Sequence, residues 1–323
     1  MKHFFKLCVV TMVFAAIAVV GTPVWAKYPE KPITILIPYA AGGTTDVGVR
    51  KLGSIIEKKL GQPIIVENRP GGSGTIALSA CAKANGDGYT LVAVTSSPFF
   101  ITPHLRKVPY NPIKDLVPIM NYSGPHHGVC VPAASEWKKF ADLIKFGKEK
   151  PNKATYGTAG TFAGAHISIL YVEKLTGAKF AHVPFKGAAP ATAAILGGHI
   201  SFAVIPRYAD HVRAGTLRVL TVVDGSRDPD FPNVPTLRDC GYDWEFASIV
   251  GIMAPTGTPK PVISKLEKVF IEAADSADFR EFMKKANLPV NIMNSEKFGT
   301  VLKSNYFAYR KAIQELGLAK LVK

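Results

Sequence analysis

Two hydrophobic rhythms alternate along this chain. Ile33 to Pro38 is a short continuous apolar run of the kind a buried strand shows, and a glycine-rich turn follows it. Val49, Leu52, Ile56 and Leu60 then recur at helical spacing. That spacing predicts a helix from about Thr45 to Leu60 with one apolar face, ended by Gly61. Ile64 to Glu67 reads as a second strand, Gly71-Gly72-Ser73-Gly74 opens a helix to about Ala84, and Tyr89 to Thr95 reads as a third strand. This β-α-β-α-β order predicts a parallel sheet covered by helices on both faces.

The same alternation restarts downstream. A strand ends at Thr155 to Gly157, a glycine-rich turn follows, and a helix is expected from about Ala165 to Leu175. Phe180 to Val183, Ser201 to Ile205 and Leu217 to Val223 read as strands. Helices are expected between them, at Ala189 to Leu196 and around Tyr208 to Ala214. The chain closes with helices at about Pro261 to Ala274, Ala277 to Asn287 and Ser295 to Leu316. With no strands of their own, these should pack back on the first unit.

Two apolar segments, Val117 to Tyr122 and Phe246 to Ala254, are expected to cross between the units. The division is then residues 27–122 plus 251–323 for one lobe and 123–250 for the other. Two crossings make a hinged cleft, a natural place for a small ligand.

The N-terminus sets the compartment. Lys2 and Lys6 precede an apolar run from Leu7 to Val20, and Val24-Trp25-Ala26 gives a small-x-Ala end. This is the pattern of a secretory signal, expected as residues 1–26 with cleavage after Ala26 and a periplasmic mature chain. The run is short for a membrane span of about 20 residues. Cys8 stands before most of that run, and Phe5-Lys6-Leu7 is a poor lipobox. After Ala26, Gly, Pro or charge interrupts every apolar stretch.

Composition narrows the classes. A length of 323 residues favours two domains. Cys81, Cys130 and Cys240 follow the signal, an odd number without CxxC spacing or neighbouring His, so buried free thiols are expected and a zinc site is not. The formal charge of +15 suits anionic ligands. Lys and Arg are scattered and not interleaved with aromatics in one stripe, which argues against nucleic acid.

Candidate chemistry gathers at helix starts. "IPYAAGGTTD", with Tyr39, Ala41, Gly43, Thr44, Thr45 and Asp46, delivers a strand into glycines and then a helix. Free N–H groups, the helix dipole and threonine hydroxyls there favour an anion. An ordinary helix capped by Thr or Asp accounts for the segment equally. "YGTAGTFAGAH" repeats the device with Thr158, Ala159, Thr161, Phe162 and His166, the histidine reading better as a structural hydrogen-bonder than as a base. Lys186 in "VPFKGAAPA" and Arg207 after a strand are candidate carboxylate partners, or solvated surface cations. Ser96 and Ser97 follow a strand and can donate hydroxyls; His126 belongs to the His126-His127 pair. No GxSxG, GxxxxGK[ST], HExxH or GxGxxG signature is present, so neither an enzyme nor a cofactor is expected.

These segments together resemble the extracytoplasmic receptors of the tripartite tricarboxylate transporters, the Bug family. "YPEKPITILIPYAAGGTTD", "VENRPGGSGTIA", "YGTAGTFAGAH", "VPFKGAAPATAAILGGHI", "HVRAGTLRVLTVV", "PNVPTLRDCGYD" and "GIMAPTGTPKPVISKL" carry the likeness over essentially all of the mature chain. The resemblance implies an α/β, two-lobe, periplasmic-binding-protein-like (Venus-flytrap) fold, each lobe a mixed sheet flanked by helices. It implies a ligand carboxylate held by the two loops, and delivery to a membrane permease with a large and a small subunit. A monomeric receptor is the expectation. The ligand stays open among dicarboxylates, tricarboxylates, aromatic acids, acidic amino acids and nicotinate-like acids. Phe162, Arg207 and His126 depart from the family pattern, so they are expected to read a ligand with an apolar body and two acidic ends. The rival readings are an α/β hydrolase or transferase, which needs a nucleophile–base pair, and a sensor subunit with the same lobes.

Overall fold

The computed structural model describes residues 28–315, 317 and 318, so the expected signal, 1–26, lies outside the described residues. The chain forms two five-stranded mixed sheets flanked by helices. The first contains β1 (Ile33–Ile37), β2 (Ile64–Asn68), β3 (Thr90–Thr95), β4 (Leu116–Ser123) and, from far along the chain, β10 (Val250–Pro255). Their spatial order is β2-β1-β3-β10-β4. β1 runs parallel to β2 and β3, whereas β10 is antiparallel to β3 and β4.

Parallel neighbours need a crossover, and helices α1 (Thr44–Leu60) and α2 (Thr75–Ala82) supply it. Val49, Leu52 and Ile56 on α1 are fully buried, each contributing about 1.5–3 kcal/mol through removal from water. Gly61 ends α1 in the left-handed region, at φ 65°, and returns its N–H to Glu57 O. After β3 the chain makes one π-type turn, Ser97–Ile101, and a short helix, α3 (Thr102–Leu105).

The second sheet has the order β7-β6-β8-β5-β9, from β5 (Gly128–Pro132), β6 (Thr155–Thr158), β7 (Ala181–Pro184), β8 (Phe202–Ile205) and β9 (Leu217–Val222). β6 lies parallel to β7 and β8, and β5 antiparallel to β8 and β9. The pattern of directions thus repeats that of the first sheet. Helices α4 (Phe140–Glu149), α5 (Gly164–Thr176), α6 (Ala188–Leu196) and α7 (Ala209–Arg213) flank it. The closing helices α8 (Lys260–Asp275), α9 (Ala277–Lys285) and α10 (Ser295–Glu315) pack on α1, β4 and the first sheet, as their lack of strands required.

The mixed sheets are those expected: β1, β2 and β3 form the parallel part read from the sequence, and β10 enters antiparallel. One expectation needs correction. Val117–Tyr122 and Phe246–Ala254 do not serve mainly as crossings: most of each is sheet, as neighbouring strands β4 and β10. Runs this apolar are buried on both faces and cannot remain in an exposed connection. The chain leaves the first sheet between Ser123 and Gly128 and returns between Val222 and Val250. The two passages touch at Gly124, where an added Cβ would lie 2.6 Å from Ser248 O.

Cys81 and Cys130 are buried free thiols and Cys240 is a half-buried one. Burial pushes the Cys81 thiol up to about 12. Among the described residues no helix is long and apolar enough to cross a membrane.

Candidate ligand-binding site

Both sheets aim strand ends and helix starts into the space between them. β1 leads through 38–43 into α1, whose N-cap, Gly43, is extended and whose first turn receives no side-chain cap. Asp46, buried, turns its carboxylate back on the loop. It accepts from Gly42 N–H at 2.9 Å, Arg50 Nε at 2.9 Å and Asn68 Nδ2 at 2.8 Å. Asn68 also donates to Tyr39 O at 3.0 Å. Asp46 therefore shapes the loop and leaves the helix start open. Thr44 and Thr45 are buried beside that start, and Thr44 Oγ1 is sealed from solvent without a hydrogen-bond partner. A hydroxyl left so costs about 1–3 kcal/mol until something fills its valence.

The second lobe presents α5 in the same manner. Its N-cap is Ala163, again with no side-chain cap. Thr158 Oγ1 donates to Gly160 O at 3.0 Å, so His182 Nε2, 2.8 Å from the same hydroxyl, is the donor to it. Phe162 N–H donates to His166 Nδ1 at 3.0 Å. His166 stacks on His182 with centroids 3.8 Å apart. Burial pulls His166 down to about 3, helped by repulsion from His182, and burial alone pulls His182 down to about 4. Both rings are neutral at pH 7, as an accepting Nδ1 requires. His166 is a structural hydrogen-bonder of the loop.

A third helix start, α6, follows Gly187 and is likewise uncapped by a side chain. Here Ala40 N–H donates to Lys186 O at 2.9 Å, joining the first loop to the second lobe. Ser97 does the same from the π turn, accepting Gly164 N–H at 3.0 Å. Ser96 Oγ donates to Ala247 O at 2.5 Å and accepts Ile249 N–H at 3.0 Å, which ties the end of β3 to the returning passage. Tyr39 Oη lies 3.1 Å from Thr95 Oγ1, and burial pushes the Tyr39 phenol up, so it stays protonated.

These groups enclose a cavity of about 70 Å³. That is far below the roughly 300–1,000 Å³ of drug-sized sites, so the space suits a compact molecule. Its polar wall is Tyr39, Thr44, Thr45, Thr95, Ser96, Ser97, Ser248 and His127. Ala159, Ala163, Ala165, Ala188, Phe246 and Val204 contribute to the rest. Among the described residues no Lys, Arg, Asp or Glu lines it. Neutral donors and the ends of three helix dipoles leave the cavity electropositive without a fixed cation.

Of the residues singled out in the sequence, Tyr39, Gly43, Thr44, Thr45, Ser96, Ser97 and Ala159 meet in this wall. Ala41 is exposed, and Asp46, Thr158 and His166 hold the loops from behind. Thr161 and Lys186 line a separate cavity with Arg106, where Ser73 Oγ donates to Thr161 O across the lobes. Phe162 sits at φ 67° with its ring over His166 and 5.9 Å from Arg106, outside the central wall. Arg207 and His126 line another cavity, with Arg280 and Lys284. Arg207 Nη1 still reaches the first loop, donating to Gly42 O at 3.3 Å.

His127, not its neighbour, faces the central cavity. Successive residues of an extended chain point to opposite sides, so only one of an adjacent pair can do so. Thr95, Ser248 and Phe246 also escaped the sequence reading. The first two are hydroxyls beside strand ends, a weak signal, and Phe246 carried none.

The fold and cleft are those of a two-lobe periplasmic binding protein. More narrowly, the chain belongs to the tripartite tricarboxylate transporter receptor family, whose model matches residues 49–318. It is 35% identical over 323 residues to the UPF0065 protein in the gbd 5' region of Cupriavidus necator, covering 99% of this chain and 98% of that one. It is 33% identical to protein BugT of Bordetella pertussis, covering 84% and 85%. Among solved structures, MatC of Rhodopseudomonas palustris with bound malate is 25% identical with a TM-score of 0.82, covering 88% of this chain and all of that one (100%). R. palustris Rpa4515 with adipate is 25% identical, also at TM-score 0.82, covering 90% and 98%.

Proposed function

We propose that this chain is an exported receptor that captures a small organic carboxylate in its cleft and delivers it, without chemical change, to a permease of one large and one small subunit. The observation that carries the reading is Thr44 Oγ1, sealed and unpartnered at an uncapped helix start in a cavity that, among the described residues, no Lys, Arg, Asp or Glu lines. A carboxylate oxygen supplies the missing partner and meets the free N–H groups beside it. The ligands named for MatC and Rpa4515, malate and adipate, support an acid of this size.

The signal 1–26 is removed after Ala26, the mature chain is monomeric, and the lobes are 27–122 with 251–323 and 123–250. Phe162, Arg207, Asp46 and His166 act through the loops they hold.

A thermal-shift and calorimetry series with organic acids tests the reading. An acid at 100 times its Kd adds about 2.7 kcal/mol of stability and is recovered intact. Absence of any stabilisation across mono-, di- and tricarboxylates, or conversion of the acid, refutes it.

A further inference from the structure

We infer that His127, oriented by Asp224, is the specificity residue of this cleft and binds a second acidic end of the ligand through Nε2. The inference rests on reading the cavity as a carboxylate site and assigns what that reading leaves open, namely which group distinguishes a diacid from a monoacid.

The wall itself narrows the choice. Ser96 already donates to Ala247 O and accepts from Ile249 N–H, Ser97 accepts Gly164 N–H, and Tyr39 pairs with Thr95. Thr44 and Thr45 belong to the start of α1, which suits one carboxylate. His127 is the one basic side chain in the wall among the described residues.

The geometry of His127 is that of a held donor. Its backbone N–H donates to Asp224 Oδ2, and its Nδ1 lies 3.4 Å from Asp224 Oδ1. Asp224 is 5% exposed, and the Phe246 ring meets the imidazole edge-on with centroids 4.9 Å apart. With Nδ1 turned to a carboxylate the ring is held in the cavity wall, and Nε2 has no hydrogen-bond partner among the described residues. Bonding Asp224 through Nδ1–H and a ligand carboxylate through Nε2–H at once requires the imidazolium, which donates from both nitrogens. The Asp–imidazolium pair of such a complex adds no net charge to the cavity. It nevertheless offers a charge-assisted bond to an incoming carboxylate.

Asp224 faces His127 from the passage after β9, Tyr208 before α7 and Tyr309 on α10 lie near Asp224, and Tyr39 shares the cavity. Burial pushes all three phenols up, so between pH 5 and 8 they stay neutral. The diacid complex requires the imidazolium, so diacid affinity should fall as pH rises. Monoacid affinity should not.

Calorimetry on the whole mature protein tests this with malate and adipate as diacids and butyrate and hexanoate as monoacids. His127→Ala should weaken the better diacid at least tenfold and change monoacids less than threefold. Asp224→Asn should weaken the diacid and flatten its pH profile. His127→Gln, which keeps a neutral donor and guards against a folding artefact, should retain intermediate affinity without pH dependence. Equal diacid affinity in wild type and His127→Ala overturns the inference while leaving the carboxylate reading intact. Failure of every acid to bind wild type instead overturns the reading on which it rests.

Discussion

Ser97 Oγ in the first lobe accepts the backbone N–H of Gly164, the first residue of α5 in the second, at 3.0 Å. A hydroxyl that begins one lobe's π turn thereby satisfies a first-turn donor of the other lobe's helix. With Ala40 N–H on Lys186 O and Ser73 on Thr161 O, it draws the loop ends together across the cleft. Ser97→Ala should remove about 1 kcal/mol from the closed arrangement, or roughly fivefold in ligand affinity. Small-angle scattering should show a larger radius of gyration for the ligand-free variant than for wild type. An identical radius and affinity would show that this bond does not govern closure.

Thr44→Val separates stability from binding. The variant keeps the shape and deletes a hydroxyl that has no partner, so the melting temperature without ligand should hold or rise. Carboxylate affinity should fall at least about tenfold, since a hydrogen bond to a charged group contributes about 1.5–3 kcal/mol. Calorimetry alongside thermal melts gives both numbers on one sample.

Asp46→Ala should reduce both. It leaves Gly42 N–H without its acceptor, removes one acceptor of Asn68 Nδ2, which keeps Tyr39 O, and breaks the Arg50 Nε pair, so a loss of about 2 kcal/mol in urea unfolding is expected. Affinity should fall with it, because the α1 loop is no longer held. Asp46→Asn, which still accepts from Gly42 N–H, should lie between.

Acid should weaken the second lobe through His166 and His182. Their folded values, about 3 and about 4, lie below the ordinary 6.5, so the unfolded chain binds protons that the folded one excludes. Their contribution is fully present above about pH 6.5 and is lost as pH falls toward 4, at a slope approaching about 1.4 kcal/mol per pH unit for each ring. His182→Gln keeps a donor for Thr158, so its melting temperature should depend less on pH between 7 and 5.

The helix starts were legible because they are local. The apolar spacing of Val49, Leu52 and Ile56, the glycines before Thr44 and the repeat of that device before Ala165 are properties of neighbours in the chain. They settle which segments are strands and helices, that two such units follow one another, and that Pro261 onward must return to the first. Ordered along the chain, these same segments also marked the family.

Tertiary structure decided what depends on distant partners. β10 comes late in the chain yet lies between β3 and β4, a pairing that no periodicity encodes and that turned two expected crossings into strands. Asp46 reads as a candidate contact at a helix start, but Arg50, Asn68 and Gly42 take up its carboxylate. Phe162 and Arg207 were expected to read the ligand, yet their positive φ values, 67° and 54°, accompany side chains that lie outside the central wall. His126 and His127 are equivalent in sequence, and only the register of β5 against β8 and β9, with Asp224 beside it, selects His127 for the cavity. Local propensity is set by adjacent residues, whereas the facing of a side chain is set by whatever packs against it, and that is fixed only when the chain closes on itself.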